Sequence, residues 1–296
     1  VNFYDIFQPS PVQEIQFCER TIYIKRDDLL HADFGGNKAR KFYGFFEEDL
    51  SRYKKIVSYG GHQSNAMFSL ASFAKLHNLQ FDYYVKPLPK FLKSNILGNF
   101  RNALDFGMNL IETSDYQKIM SGEIQFSEPE TLFVKQGGAM PEAESGVKFL
   151  AKEIETFAAE NAISELAVVL PSGTGATAVY LQKHLKFNVF TVPNVGDAEY
   201  LTKQFSDLVP EANLHPTVWD STKKKYQFGN LYPEFYLIWQ KLFAETGIEF
   251  ELLFDPKTWL LLCENLKQVP YPILYIHSGG TAGNASMEAR YLRAGF

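Results

Sequence analysis

The sequence predicts an open α/β fold with largely parallel strands, and three observations carry that expectation. Short apolar runs alternate with longer amphipathic stretches along almost all of its 296 residues. The apolar runs are mostly continuous, as strands buried on both faces require. Several of them end in glycine-rich turns that open straight into a helical pattern.

The expected strands cover residues 22–25, 55–58, 81–85, 109–111, 132–135, 167–170, 188–192, 250–254 and 273–277. One helix begins near Ser64 and carries Met67, Leu70, Ala71 and Ala74 on its apolar face. Two more are expected over 146–159 and 232–245. Boundaries fall near 44–54 and 138–146, the second marked by Gly137-Gly138, Pro141 and Gly146. They divide the chain into a large domain, residues 1–44 and 144–296, and a small one, 45–143, inserted in it. No internal repeat is visible, and Lys223-Lys224-Lys225 reads as a solvated loop.

Composition narrows the function classes. A base-stacking surface would need basic residues interleaved with the aromatics, and a net charge of −5 argues against a nucleic-acid partner. No apolar run approaches bilayer length, so no membrane partner is expected. Residues 1–5, Val1-Asn2-Phe3-Tyr4-Asp5, show no basic region leading into an apolar stretch, so no signal peptide is expected either. Cys18 and Cys263 are too few for a disulfide framework, have no metal-ligand spacing, and read as buried structural thiols. A reducing, cytoplasmic location fits this reading.

Three turns bear on chemistry: Tyr59-Gly60-Gly61-His62-Gln63-Ser64-Asn65, Pro171-Ser172-Gly173-Thr174-Gly175-Ala176-Thr177 and His277-Ser278-Gly279-Gly280-Thr281. In open α/β sheets ligands bind at the carboxyl ends of strands, so three such turns point to one cleft. In Ser172 to Thr177, glycines admit close backbone approach, hydroxyls donate, and a helix N-terminus favours an anion. No Walker lysine follows, and a third glycine at dinucleotide spacing is missing. A small phosphate monoester suits it better than a nucleotide; a tight turn without ligand is the plain alternative.

Gln63-Ser64-Asn65 opens a helix straight after glycines. Its amides and hydroxyl suit a substrate carboxylate, or simply an N-cap. Lys38, in Gly35-Gly36-Asn37-Lys38-Ala39-Arg40-Lys41, stands at an expected helix start. There the dipole and the neighbouring Arg40 and Lys41 would lower its pKa toward that of a nucleophilic amine.

Taken together and in order, these segments resemble the 1-aminocyclopropane-1-carboxylate deaminase / D-cysteine desulfhydrase family. That family lies within the tryptophan-synthase-β-like pyridoxal-phosphate (PLP) enzymes of fold type II. The resemblance rests on Ile24-Lys25-Arg26-Asp27-Asp28 with Gly35-Gly36-Asn37-Lys38, on Gln63-Ser64-Asn65, on Ser172 to Thr177, and on Ile276-His277-Ser278-Gly279-Gly280. It implies two open α/β domains with pyridoxal 5'-phosphate in the cleft between them, a small amino-acid substrate and a homodimer. It implies that Lys38 holds the cofactor and moves the Cα proton. Ser64 and Asn65, with Gln63 beside them, would meet the substrate carboxylate and the cofactor's ring hydroxyl. Ser172, Gly173, Thr174, Gly175, Ala176 and Thr177 would hold the phosphate; the family's Glu near the pyridine nitrogen is missing here, and Ser278 would take that contact instead, giving a weaker electron sink.

Two departures narrow the chemistry that the resemblance implies. The family's Asp-Pro-Val-Tyr segment, followed by Glu in the deaminases or Thr in the desulfhydrases, is Asp255-Pro256-Lys257-Thr258-Trp259 here. Its second tyrosine corresponds to Phe228, with Tyr226 and Tyr232 offset. Cyclopropane ring-opening needs such groups; β-elimination of thiol from D-cysteine, giving pyruvate, ammonia and sulfide, needs fewer. The expected activity is therefore desulfhydrase-like. A divergent PLP-binding protein with little catalysis, and a racemase or isomerase on the same scaffold, are the alternatives. His62, where the family has an aliphatic residue, is either a structural side chain or an added acid.

Overall fold

The computed structural model describes residues 8–31, 33–34, 36–47, 49–211 and 214–296. Residues 1–5, read above for a leader, and Gly35 of the lysine segment lie outside the described residues. The chain opens with an antiparallel hairpin, β1 (Val12–Phe17) and β2 (Arg20–Lys25), followed by α1 (Asn37–Glu47). Next come β3 (Lys55–Tyr59), α2 (Asn65–Leu76), β4 (Gln80–Val85), and two helices, α3 (Lys90–Ser94) and α4 (Gly98–Asp105). β5 (Met108–Glu112), α5 (Tyr116–Ser121) and β6 (Thr131–Val134) complete a four-stranded parallel sheet in the order β5-β4-β3-β6.

The long α6 (Ala143–Glu160) then leads back to the first sheet. There follow β7 (Ala167–Ser172), α7 (Ala176–His184), β8 (Asn188–Pro193), α8 (Ala198–Leu208), β9 (Thr217–Val218) and α9 (Pro233–Thr246). α10 (Asp255–Asn265), β10 (Ile273–Ile276) and α11 (Asn284–Arg293) close the chain. The six strands order as β1-β2-β10-β7-β8-β9, parallel apart from the hairpin.

The continuous apolar runs have a direct cause. Strand side chains alternate between faces, and β7 and β10 have a core on each. Val168, Leu170, Leu274 and Ile276 join the core beneath α6 and α7. Ala167, Val169, Ile273 and Tyr275 join the core beneath α9 and α10. Burying each larger aliphatic side chain contributes about 2 kcal/mol, so both faces of the central strands favour one register. The smaller sheet packs Phe81, Tyr83, Val85 and Val134 against Met67, Leu70 and Phe73 of α2 and Phe42 and Phe45 of α1. Every parallel strand that precedes a glycine-rich turn therefore delivers that turn to the carboxyl edge of a sheet.

Three expectations need correction. Residues 250–254 form no strand: their amides bond to side chains rather than to a neighbouring strand. Glu251 N donates to Asp255, Leu252 N to Asn284, and both Leu253 N and Phe254 N to the Glu251 carboxylate. β1 and β9 are additional strands; β1 interleaves buried Ile15 and Phe17 with exposed Gln and Glu, so no continuous apolar run announces it. Finally, Cys18 in the hairpin turn and Cys263 on α10 are joined in a disulfide. Residues 245 positions apart give no spacing signal for such a pair. The cytoplasmic expectation drew on unpaired thiols and loses that support. Among the described residues no helix is long and apolar enough to cross a membrane.

Candidate active site

Four segments meet at the carboxyl edges of the two sheets. Asn37 N, at the start of α1, donates to Ser278 O at 3.0 Å. Gly36 lies so close to this turn that a Cβ there would stand 1.7 Å from Ser278 O, and its φ is +66°. Only glycine fits that approach and that backbone. On its other side the Ser278–Gly280 turn touches Asn65: a Cβ at Gly280 would fall 2.4 Å from Asn65 Nδ2. The phosphate-type loop is reached from α1 by Lys41, whose Nζ donates to Gly137 O at 3.0 Å and lies 3.4 Å from Thr174 Oγ1. Lys38, Asn65, Thr174 and Ser278 thus belong to one neighbourhood.

Lys38 stands in the first turn of α1, partly buried, with Nζ donating to Asn37 Oδ1 at 2.7 Å. Burial pushes its amine down to about 8, while the Glu251 carboxyl acts in the opposite sense. Desolvation, rather than neighbouring like charge, is the cause. Arg40 in particular brings little free charge, because Asp27 and Glu153 neutralise it at 2.9 and 2.6 Å.

Ser64 caps α2, its Oγ accepting from Ala66 N and Met67 N at 3.2 and 3.4 Å. Gln63 Nε2 donates to Leu97 O, and its buried Oε1 has no hydrogen-bond partner. Asn65 Oδ1 accepts from Asn99 Nδ2 at 2.6 Å, which fixes the amide's orientation. In the phosphate-type loop Gly175 takes φ +76° and directs the chain into α7. Thr177 Oγ1 is buried without a partner at the first turn of that helix. The Ser172 hydroxyl instead lies 2.7 Å from Thr191 Oγ1, inside the sheet. Ser278 Oγ is also buried without a partner.

Tyr83, Glu251 and Arg290 of this neighbourhood carried no signal in the sequence reading, and Lys41 entered it only as like charge beside Lys38. Lys41 is buried on the same face of α1 as Lys38, and burial with the charge of Lys38 pushes its pKa well down. Tyr83, on β4, is buried with its hydroxyl donating to Gly61 O at 3.3 Å and bonded to Ser64. Glu251 is buried, and burial with the neighbouring Asp255 raises its pKa to about 8. Arg290, on α11, donates to Gly229 O and, after burial, is what holds His62 down toward its neutral form. Asn99, which orients Asn65, could have been suspected only from its amide.

The positions that depart from the family pattern are now located. Thr258 and Trp259 are fully buried, and Trp259 stacks on Tyr275 at 4.4 Å within the core beneath α9 and α10. Phe228 is half-exposed with its ring 5.2 Å from that of Phe254. The offset tyrosines are engaged elsewhere, Tyr226 with Glu234 and Tyr232 with Gln227 N.

No family model matches the chain. A protein of Pyrococcus horikoshii, provisionally named 1-aminocyclopropane-1-carboxylate deaminase, is 25% identical over 298 residues, covering 93% of this chain and 90% of its own. The D-cysteine desulfhydrase of Serratia proteamaculans is 25% identical over 292 residues, covering 89% and 88%. A crystal structure described as an ACC deaminase homologue superposes with a TM-score of 0.79 at 20% identity, over 97% of this chain and 94% of that one. The chain therefore has the tryptophan-synthase-β-like architecture of fold type II and is a relative of the 1-aminocyclopropane-1-carboxylate deaminase / D-cysteine desulfhydrase family.

Proposed function

We propose that this chain is a pyridoxal-phosphate-dependent lyase of small amino acids, and that its reaction is β-elimination of thiol from D-cysteine. One observation carries the reading. A lysine amine with its pKa down at about 8 stands on the same helix face as a second lysine that reaches the phosphate-type loop. An aldehyde-bearing phosphate monoester would engage an amine and a cation set on one helix face in this way.

The residues present fit the cofactor. Thr177 Oγ1 and Ser278 Oγ are buried polar atoms without protein partners, at the two places where a phosphate and a pyridine nitrogen would need donors. Lys41 and Thr174 Oγ1, with the free amides at the start of α7, supply the remaining phosphate contacts. When bound, the cofactor supplies an electron sink for the pair left at Cα after proton removal.

The chain's own groups do the rest. Lys38, neutral above about pH 8, would hold the cofactor and would take the Cα proton at Nζ. Ser64 and the amides that open α2 receive the carboxylate, with Gln63 and Asn65 beside them. Tyr83 holds the Gly61–Ser64 turn in place. Thiolate leaves from Cβ, and water releases pyruvate and ammonia. With Thr258 and Trp259 in the core and no tyrosine in the family places, Lys38 is the base on which this chemistry depends. A homodimer and two domains divided at residues 45–143 belong to the same proposal.

The test is direct. Protein mixed with pyridoxal 5'-phosphate gains a visible absorbance that borohydride fixes onto Lys38, located by peptide mass spectrometry. D-Cysteine then releases sulfide and pyruvate, and 1-aminocyclopropane-1-carboxylate yields little ammonia. Absence of any adduct overturns the assignment. An adduct without turnover of any D- or L-amino acid favours the second reading, a PLP-binding protein with little catalysis, which the core placement of Thr258 and Trp259 supports.

A further inference from the structure

Helix α11 carries a cation that this chemistry leaves unused. Arg290 is half-buried, and among the described residues it pairs with no carboxylate. Its Nη2 donates to Gly229 O at 2.6 Å, and its Nη1 lies 3.2 Å from Met287 Sδ. A guanidinium carries more N–H groups than these two acceptors use. By contrast Arg26 and Arg40 are closed by carboxylates at 2.7 and 2.6 Å. Arg20 also lacks a carboxylate, but it bonds the carbonyls of Val269 and Tyr271 just before β10 begins, away from the carboxyl edge.

Contacts on two sides place Arg290 at the cleft. Gly229, which it bonds, follows Phe228, whose ring is 5.2 Å from that of Phe254. Phe254 in turn lies 3.3 Å from where a Cβ on Gly173 of the phosphate-type loop would be. On the other side, Ser286 sits one helical turn before Arg290 on the same face of α11. Its Cβ is 3.3 Å, and Gln63 Oε1 3.1 Å, from where a Cβ on Gly98 would be. His62, next to Gln63, has no side-chain hydrogen bond among the described residues. Burial and the charge of Arg290 hold its ring toward the neutral form. Arg290 therefore stands between the 226–230 segment and the turn that carries Ser64.

We propose that Arg290, with His62 beside it, is the specificity residue of this site and receives a carboxylate carried beyond the leaving sulfur. The preferred substrates are then carboxyalkyl thioethers of cysteine, with D-cysteine as the parent compound. The inference rests on the lyase reading, which fixes the bond that breaks. The Cβ–S bond breaks with its electron pair on sulfur, which takes a proton to become a mercapto acid. Water releases pyruvate and ammonia as it does from D-cysteine.

The other anions of such a substrate complex already have receptors. The α-carboxylate meets Ser64 and the amides of α2, and the phosphate meets Lys41 and the 172–177 loop. Only the distal group lacks one. A half-buried guanidinium without a counter-charge has lost hydration that no protein acid returns, and a carboxylate matches its planar N–H groups. The wall beside Gly229, formed by Phe228, Leu253 and Met287, offers apolar surface to a methylene stem.

The experiment compares S-carboxymethyl-cysteine with S-carbamoylmethyl-cysteine, which has the same shape without the charge, each as D and L isomer. Wild type supplied with pyridoxal 5'-phosphate should favour the acid by about 10- to 100-fold in kcat/KM, chiefly through KM. Arg290→Met should bring that ratio to about one, and Arg290→Lys should keep part of it. Equal use of acid and amide by wild type, or a preference that survives Arg290→Met, overturns the proposal. The wild-type comparison decides even should the variants not fold. If neither D-cysteine nor either thioether is turned over, the lyase reading fails, and the same pair is compared by calorimetric binding. Tighter binding of the acid, lost in Arg290→Met, upholds the carboxylate subsite; equal binding, or none, overturns it.

Discussion

Helix α1 serves two buried charge clusters, and they are built on opposite terms. Arg40 is fully compensated: its guanidinium bonds Asp27 at 2.9 and 3.2 Å and Glu153 at 2.6 and 2.8 Å. Lys25 bonds the same Glu153 at 2.6 Å, and Ser10 Oγ closes on Asp27 at 2.6 Å. Among the described residues, Lys38 and Lys41, on the helix face beside it, bond no carboxylate, only an amide oxygen, a carbonyl and a hydroxyl. The first cluster ties β2, α1 and α6 together. The second leaves cations under-compensated, which shifts their pKa values and keeps them available to an anionic, electrophilic ligand.

The contrast can be broken at either end. Lys38→Ala should remove the covalent adduct and cost on the order of 10⁴-fold in turnover, with little change in thermal stability. Arg40→Met should do the reverse, because Asp27 and Glu153 are left buried and unpaired. Denaturant titration should show a loss of about 3–5 kcal/mol. The cluster also has a pH signature. Burial alone would raise Asp27, but the Arg40 guanidinium outweighs it and holds the carboxyl below its ordinary 3.8. A depressed carboxyl stabilises the fold above its unfolded pKa and loses that contribution as pH falls through the folded value. The Asp27 contribution to stability should therefore be lost only below about pH 4, and Asp27→Asn should flatten that limb.

Lys41→Met tests the reactive face more gently. Loss of one charge-assisted contact, about 2 kcal/mol, should weaken pyridoxal 5'-phosphate binding roughly 10- to 100-fold. Pyridoxal without the phosphate should be little affected, as absorbance titration would show. The smallest effect belongs to Tyr83→Phe. Losing one neutral hydrogen bond, about 1 kcal/mol, should raise KM by less than about tenfold and leave kcat nearly intact.

The same contrast explains what the sequence could disclose. Strands buried on both faces announce themselves by continuous apolar runs, and glycine-rich segments drew attention to Lys38, Ser64 and the 172–177 loop. Residues 250–254 carry the same kind of run and mislead. Its amides are satisfied by Glu251, Asp255 and Asn284 side chains, a choice that periodicity does not encode. Glu251 went unseen, and Lys41 was read only as like charge beside Lys38, because charged residues ordinarily read as solvated. Trp259 looked like a substitution at a reactive position; its indole proves to be core.

The placement of β10 has a bearing on how the protein comes to exist. β2, which precedes Lys38, pairs with β1 and with β10, more than two hundred residues later. During synthesis Lys38 leaves the ribosome well before Ser278, whose carbonyl bonds the amide of the neighbouring Asn37. Until that bond forms it is an ordinary solvated lysine. Capture of the cofactor should thus mark the completion of folding, and a truncated or stalled chain should remain colourless.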